Sequence, residues 1–75
     1  MIHFSINNDQ LKALRETGFC ACFGVGGYSW IKTVQPGTIM IVHCDKVDFR
    51  VRVLTVQENE KGDTTFKDLV IAPAL

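Results

Sequence analysis

The chain lacks an excess of charge of either sign, because eight lysine and arginine residues balance eight aspartate and glutamate residues. A neutral domain does not produce the strong electrostatic field of a dedicated non-specific nucleic-acid binder, although it can still carry local basic patches. No stretch approaches the ~20 apolar residues that span a bilayer. The first residues, Met1–Phe4, carry no basic segment of the kind that begins a signal peptide. We therefore expect no membrane partner and a cytoplasmic location, in a cell or in a host cell.

Cysteine is also scarce, with three residues, and an odd number excludes a framework in which every cysteine forms a disulfide. Cys20, Cys22, His43 and Cys44 match zinc ligands in type and number. Their spacing argues against zinc, because Cys-x-Cys lacks the turn of a zinc knuckle and adjacent strand residues point to opposite faces. We expect no metal and no other cofactor, and thiols that pack as small hydrophobic groups.

Seventy-five residues are enough for a single domain, 1–75, with a small hydrophobic core. The free energy of unfolding of such a domain is expected to be about 4–10 kcal/mol. Glycines cluster in Gly24-Val25-Gly26-Gly27, a sequence that differs from the phosphate-binding pattern G-x-G-x-x-G and precedes no predicted helix. We interpret this segment as a loop.

Apolar and polar residues alternate in several short segments, which predicts β-strands. The predicted strands are 1–6, 19–23, 28–34, 39–42, 47–56 and 64–71. Between the first two, Asn7 is positioned to cap a helix, with Gln10 in the capping-box position and Gly18 at the end. This helix of about ten residues is too short to be stable alone and must pack on the sheet.

The second half of the chain contains the turn signals of a hairpin. Asp45-Lys46 separates two strands, and the apolar pattern changes phase after Val53, which predicts a β-bulge near Val53–Leu54. We expect a polar hairpin connection over Glu58–Asp63 and a turn at Phe66–Leu69. The predicted class is α+β, mainly β: a small bent sheet or β-barrel of five to six short strands capped by one short helix.

The candidate site combines aromatic and basic side chains on two predicted strands. Tyr28, Trp30 and Lys32 share one face of strand 28–34, and Arg50 and Arg52 share one face of strand 47–56. If those faces adjoin, the surface could stack bases and hold phosphates. It could equally anchor a protein partner. In the alternative interpretation, Trp30 belongs to the core and the two arginines form a solvated strand face.

Four segments after Gly27 resemble the ASCH group of PUA-like domains. They are Lys32-Thr33, Gln35–Thr38, Phe49–Val56 and Thr65–Leu69. The resemblance implies a small β-barrel with a cleft that binds RNA or a modified nucleoside. Some members are similar to small amidohydrolases that use a lysine, a threonine and a glutamate. Here Lys32 and Thr33 are adjacent and Thr38 replaces the family's aspartate, so no catalytic role is transferred.

These features give three functional hypotheses. The favoured one is a non-enzymatic, PUA-like binding module that holds single-stranded RNA or a nucleotide. The alternative is a protein-interaction module, such as a phage-type inhibitor or an accessory subunit that occludes a partner protein. Exposed edge strands could also pair two copies into a homodimer. An enzyme using Lys32, Thr33 and a carboxylate is the third, and we expect no catalysis because no set of nucleophile, base and orienting group can be recognised.

Overall fold

The computed structural model describes residues 2–25 and 29–74. The chain forms β1 (Ile2–Ser5), α1 (Asn8–Thr17), β2 (Cys20–Val25), a 3-10 helix (Ser29–Lys32), β3 (Ile39–Cys44), β4 (Val47–Lys61) and β5 (Thr64–Pro73). The strands make one mixed sheet in the order β1-β3-β4-β5-β2, which is open and leaves β1 and β2 at its edges. β1 runs parallel to β3, and the other neighbours are antiparallel. In the described residues the predicted class, α+β and mainly β with one short helix, is confirmed: five strands form a sheet that is not closed into a barrel.

Helix α1 begins and ends at the predicted residues. The Asn7 side chain accepts a hydrogen bond of 2.8 Å from the Gln10 backbone N–H, and the Gln10 side chain accepts one of 2.9 Å from the Asn7 backbone N–H. Gly18 ends the helix in the left-handed conformation, with a φ of 84°, which glycine adopts without a steric penalty. Leu11 and Leu14 are buried, so packing on the sheet stabilises a helix too short to persist alone.

The hydrophobic core lies between α1 and one face of the sheet. Alternate strand residues point into it, as the period of two requires. The most deeply buried side chains are Leu14, Met40, Val42, Val51, Val53, Leu69 and Ile71. Within the described residues, α1 contacts mainly β2 and, to a smaller extent, β5. We call the other side of the sheet the open face, because its strand residues are exposed or only half-buried.

The bulge predicted near Val53–Leu54 is confirmed. The pairing of β4 with β5 shifts register between Val53 and Thr55. Val53 is opposite Ile71, whereas Val56 is opposite Leu69, so one extra residue is accommodated in β4. The bulge returns Val56 to the core-facing side, where it packs against the buried cluster.

Two predictions for the hairpin of β4 and β5 were wrong. Glu58–Lys61 continue β4, so that the turn is limited to Gly62-Asp63. The predicted turn at Phe66–Leu69 is absent, since β5 runs without interruption from Thr64 to Pro73. The ladder pairs every residue from Val56 to Lys61 with β5, and these cross-strand bonds override the low strand preference of the polar residues.

Two predictions before β3 also need correction. Gly24 and Val25, predicted to lie in a loop, belong to β2 and pair with Lys67 and Phe66. The rest of the predicted loop, Gly26 and Gly27, lies outside the described residues. Ser29–Lys32 form a 3-10 helix rather than part of a strand. The backbone N–H groups of Thr33 and Val34 both donate to the Trp30 carbonyl. These local bonds replace a strand ladder.

Candidate functional site

The structure separates the predicted aromatic and basic residues. Trp30 is half-buried, packs against the core cluster and meets Phe4 edge to face, with ring centroids 5.5 Å apart and an interplanar angle of 83°. Phe4 belongs to the core-facing side of β1. Arg50 and Arg52 are exposed on the open face of β4. Trp30 therefore lies with the core-facing residues, and the two arginines lie on the opposite side of the sheet.

The other predicted site residues belong to the segment before β3. Lys32 is exposed at the end of the 3-10 helix, and Tyr28 lies outside the described residues. The Thr33 hydroxyl donates to the Trp30 carbonyl at 3.3 Å. Because a 3-10 helix has about three residues per turn, it does not preserve the period-two alignment expected for a strand.

The open face carries both signs of charge. Arg50 and Arg52 project from it beside Asp48, all on β4. Asp68 of β5 is exposed on the same face and accepts a hydrogen bond from the Asn59 amide. This face is therefore not a uniformly basic surface.

Aromatic side chains are exposed at the β2 edge instead. Phe19 and Phe23 are 55% and 61% exposed. Ala21 lies between them at the same period-two phase and is also exposed. We call Phe19, Ala21 and Phe23 the β2 stripe. Large exposed apolar patches are uncommon on monomeric proteins and often mark a contact surface.

A groove of about 510 Å³ lies beside the β2 stripe, between β2 and α1. Its apolar lining comes from Ala13, Phe19, Ala21 and Val70. Asp9, in the first turn of α1, is the charged residue among its described lining residues. The groove is therefore suited to an apolar side chain with a positive charge close by.

Side chains of α1 occupy part of the β2 edge. The Gln10 amide donates to the Ala21 carbonyl at 3.1 Å, and the Thr17 hydroxyl shares its proton between the Ala13 carbonyl at 2.6 Å and the Phe19 carbonyl at 2.9 Å. These bonds satisfy two acceptors that would otherwise template another strand. Since antiparallel ladders alternate, the backbone groups of Phe23 point outward in the same way as those of Ala21. The helix therefore covers the first half of this edge.

A cluster of polar side chains that the sequence did not predict lies near the β1 edge of the sheet. His3 Nδ1 is 2.7 Å from His43 Nε2, and the two rings lie edge to edge in nearly one plane, with centroids 4.9 Å apart and an interplanar angle of 12°. His43 Nδ1 is 2.5 Å from Asp48 Oδ1. We call His3, His43 and Asp48 the His–Asp chain. The parallel pairing of β1 with β3, which sets Ser5 opposite His43, brings together two histidines that are distant in sequence.

The three cysteines are buried free thiols, as predicted. Burial, together with the neighbouring Cys20, raises the pKa of the Cys22 thiol to about 12. The Cys44 thiol donates to the Asn8 side chain at 3.1 Å. Reactive cysteines need a thiolate and access to solvent, so Cys22 is not suited to nucleophilic chemistry. In residues 2–25 and 29–74, no group of three or more histidine, cysteine or acidic residues is arranged to hold a metal ion.

Comparison with known proteins adds no family assignment, since no protein-family model, curated protein or solved structure matches the chain. The resemblance to ASCH domains therefore stays a prediction. None of the helices in the described part of the chain has the length and apolar content to cross a membrane.

Proposed function

We propose that the chain is a small, non-catalytic protein-interaction module that binds a partner protein through the β2 stripe and the adjoining groove. The observation that carries this proposal is the exposure of Phe19, directly before the edge strand β2, and of Phe23 within it, at 55% and 61%. Burying a whole phenylalanine side chain contributes roughly 1.5–3 kcal/mol, so burying the exposed half of each would contribute about 1 kcal/mol or more. The β2 stripe can therefore anchor an interface with a partner protein, and the rest of the interface area would come from the open face.

The occupant that fits best is a segment of a different protein. Its apolar or aromatic side chain would enter the groove between Ala13 and Val70, and a lysine or arginine beside it would meet the carboxylate of Asp9. A second copy paired through β2 fits less well. Gln10 and Thr17 already bond the carbonyls such a strand would need.

Selection from a random peptide library on the immobilised full chain tests the proposal. The expected peptides combine an aromatic or large aliphatic residue with a nearby lysine or arginine. Their affinity should fall about fivefold or more in Phe19→Ser and Phe23→Ser, and should fall less in Asp9→Asn, because a partly exposed ion pair contributes little. Leu54→Ser is the matched control, since Leu54 is an exposed apolar residue outside the stripe.

Three results would contradict this assignment. The first is a library that yields no binding peptide, and the second is peptides that bind Phe23→Ser as tightly as the parent chain. The third is a dimer in sedimentation equilibrium that Phe23→Ser converts to a monomer, because the stripe would then be occupied by a second copy. Circular dichroism establishes that each variant is folded before its binding is compared.

A second candidate function is the binding of single-stranded RNA or a nucleotide through Arg50 and Arg52. It is supported by their exposure on the open face, opposite Ile41 and Ile39 of β3, and by the resemblance to ASCH domains. Two phosphate contacts predict a slope of about −1.4 for log affinity against log salt concentration with a single strand.

Titration of labelled single-stranded RNA at several salt concentrations tests this second candidate. Arg50→Gln with Arg52→Gln should remove the salt dependence, whereas Lys12→Gln, on the exposed side of α1, should leave it unchanged. No binding at low salt would exclude this function, and binding that survives the double substitution would place it elsewhere.

A further inference from the structure

The His–Asp chain engages all but one of its four ring nitrogen atoms. Asp48 Oδ1 is 2.5 Å from His43 Nδ1, and His43 Nε2 is 2.7 Å from His3 Nδ1. The two rings lie nearly in one plane, at 12°, so the contact between them is a hydrogen bond within the plane of both rings. The remaining nitrogen, His3 Nε2, has no partner among the described residues and belongs to an exposed side chain.

The carboxylate at the end of the chain determines where the protons lie. An ionised carboxylate can only accept hydrogen bonds, so His43 Nδ1 carries the proton that it donates to Asp48. The other nitrogen of the neutral His43 ring is then an acceptor, and His3 Nδ1–H donates to it. The neutral His3 ring therefore has its lone pair at Nε2, directed to solvent.

The hydrogen bonds activate this lone pair. A new bond at His3 Nε2 places positive charge on the ring, and the Nδ1 proton can pass to His43, whose imidazolium is stabilised by the adjacent Asp48. A nucleophile, a base and a carboxylate that orients the base have these same roles in covalent catalysis. We infer that His3 Nε2 is a nucleophile that accepts a phosphoryl group from a small phosphoryl donor.

Two arginines on the same face favour a phosphoryl donor over an acyl donor. His3 is opposite Ile41, and Ile41 is opposite Arg50, so the backbones of His3 and Arg50 are two strand spacings apart, roughly 9.5 Å. The two long side chains span such a distance, and Arg52 follows on the same face of β4. Guanidinium groups hold phosphate oxygens in a bidentate manner. The opposing charge of Asp48 lies behind His43, away from His3 Nε2.

The transfer is balanced without a further reactant when phosphoramidate is the donor. The lone pair of His3 Nε2 forms a bond to phosphorus, the phosphorus–nitrogen bond breaks, and ammonia leaves with that electron pair. The Nδ1 proton moves to His43 Nε2, which then donates back to His3 Nδ1. The chain thus takes up one phosphoryl group at the β1 edge, away from the β2 stripe, and this modification requires no turnover.

Incubation of the full chain with potassium phosphoramidate at about pH 8, where histidine is neutral, tests the inference. Mass spectrometry of peptides locates the phosphoryl group, and phosphorus NMR spectroscopy identifies the nitrogen that carries it. His3 should be modified at Nε2, and His43 should stay unmodified because both its nitrogens are engaged. Asp48→Asn and His43→Gln should slow the reaction about tenfold, less than the roughly 10²–10⁴-fold contribution of a base in an enzyme, since solvent reaches this site.

Lys46→Gln, an exposed substitution in the neighbouring turn, is the matched control and should react at the rate of the parent chain. Circular dichroism establishes that each variant is folded. Absence of modification, modification of His3 at Nδ1 or of His43, or an unchanged rate in Asp48→Asn would each overturn the inference.

Arg50→Gln tests the preference for a phosphoryl donor. It should slow phosphorylation of His3 but leave the reaction of His3 with diethyl pyrocarbonate, an uncharged acylating reagent, unchanged. Phosphorylation at the parent rate in Arg50→Gln, or an equal loss of both reactions, would contradict the role assigned to the arginine and with it the phosphoryl donor.

Discussion

Cys22 couples the protonation of one buried thiol to the stability of the whole chain. Burial, with the adjacent Cys20 as a smaller cause, raises its pKa from 9.0 to about 12 in the folded protein. Below pH 9 the thiol is neutral in both the folded and the unfolded chain, so the stability is fully present. Above pH 9 the unfolded chain loses the proton first. The free energy of unfolding should therefore fall by up to roughly 1 kcal/mol per pH unit between pH 9 and pH 12.

Urea unfolding under reducing conditions at pH 7.5, 9 and 10.5 measures this effect. Cys22→Ala is the control, because lysine and tyrosine side chains also titrate in this range and their contribution is the same in both proteins. The loss of stability above pH 9 should be smaller in Cys22→Ala than in the parent chain. Equal losses in the two proteins would mean that Cys22 ionises as easily folded as unfolded.

Sequence patterns predicted which side of a strand a residue points to, but not which strand lies next to it. The period of two of a strand places Phe4 on the buried side of β1 and His3 on the other. The contact between His3 and His43 depends on the parallel pairing of the first strand with the third. That pairing is set by the packing of the whole sheet, so the His–Asp chain was not predictable.

The capping box stabilises the first turn of helix α1. Asn7→Ala removes the acceptor for the Gln10 backbone N–H and should lower the free energy of unfolding by about 1 kcal/mol, within a usual range of roughly 0.5–2. Lys12→Ala, an exposed change within the same helix, should change it by less than about 0.5 kcal/mol. Thermal or urea unfolding followed by circular dichroism measures both. A similar loss in the two variants would show that the cap does not stabilise the helix.

Elements with local signals were predicted well, and elements formed by long-range pairing were not. The cap at Asn7 and the stop at Gly18 act within one turn of helix, so the sequence contains the relevant information. By contrast, Glu58 lies in β4 because it pairs with Lys67 of β5, and opposite charges at directly facing positions stabilise a strand pair. The aromatic segment around Trp30 favoured a strand, yet local hydrogen bonds to its carbonyl close a 3-10 helix.

At the scale of the whole molecule, one sheet shares one core with one short helix. A core on a single side leaves the open face and the β2 stripe in contact with solvent, where they can serve binding. It also means that few buried side chains contribute to the stability of the folded chain. Ile71 is fully buried on β5 and is opposite both Val53 of β4 and Cys20 of β2. It is therefore at the centre of the three strands that bear most of the pairing.

Substitutions at Ile71 should lower the free energy of unfolding strongly, because the chain has a single small core. Ile71→Val should lower the free energy of unfolding by about 0.5–1.5 kcal/mol, and Ile71→Ala by about 2–5 kcal/mol. The larger loss is a large fraction of the roughly 4–10 kcal/mol expected for the chain, so Ile71→Ala should unfold at a clearly lower urea concentration than the parent chain. Urea unfolding can be followed by the fluorescence of Trp30, which packs against the core.

Val70→Ala provides the comparison that distinguishes the two faces of the sheet. Val70 is the neighbour of Ile71 but lies half-buried on the open face, at the edge of the groove. Since it leaves no enclosed cavity, its loss should cost less than about 1 kcal/mol. An equal cost for Val70→Ala and Ile71→Ala would show that the open face is covered in solution. The β2 stripe would then be part of a buried contact between copies, instead of a surface free to receive another protein.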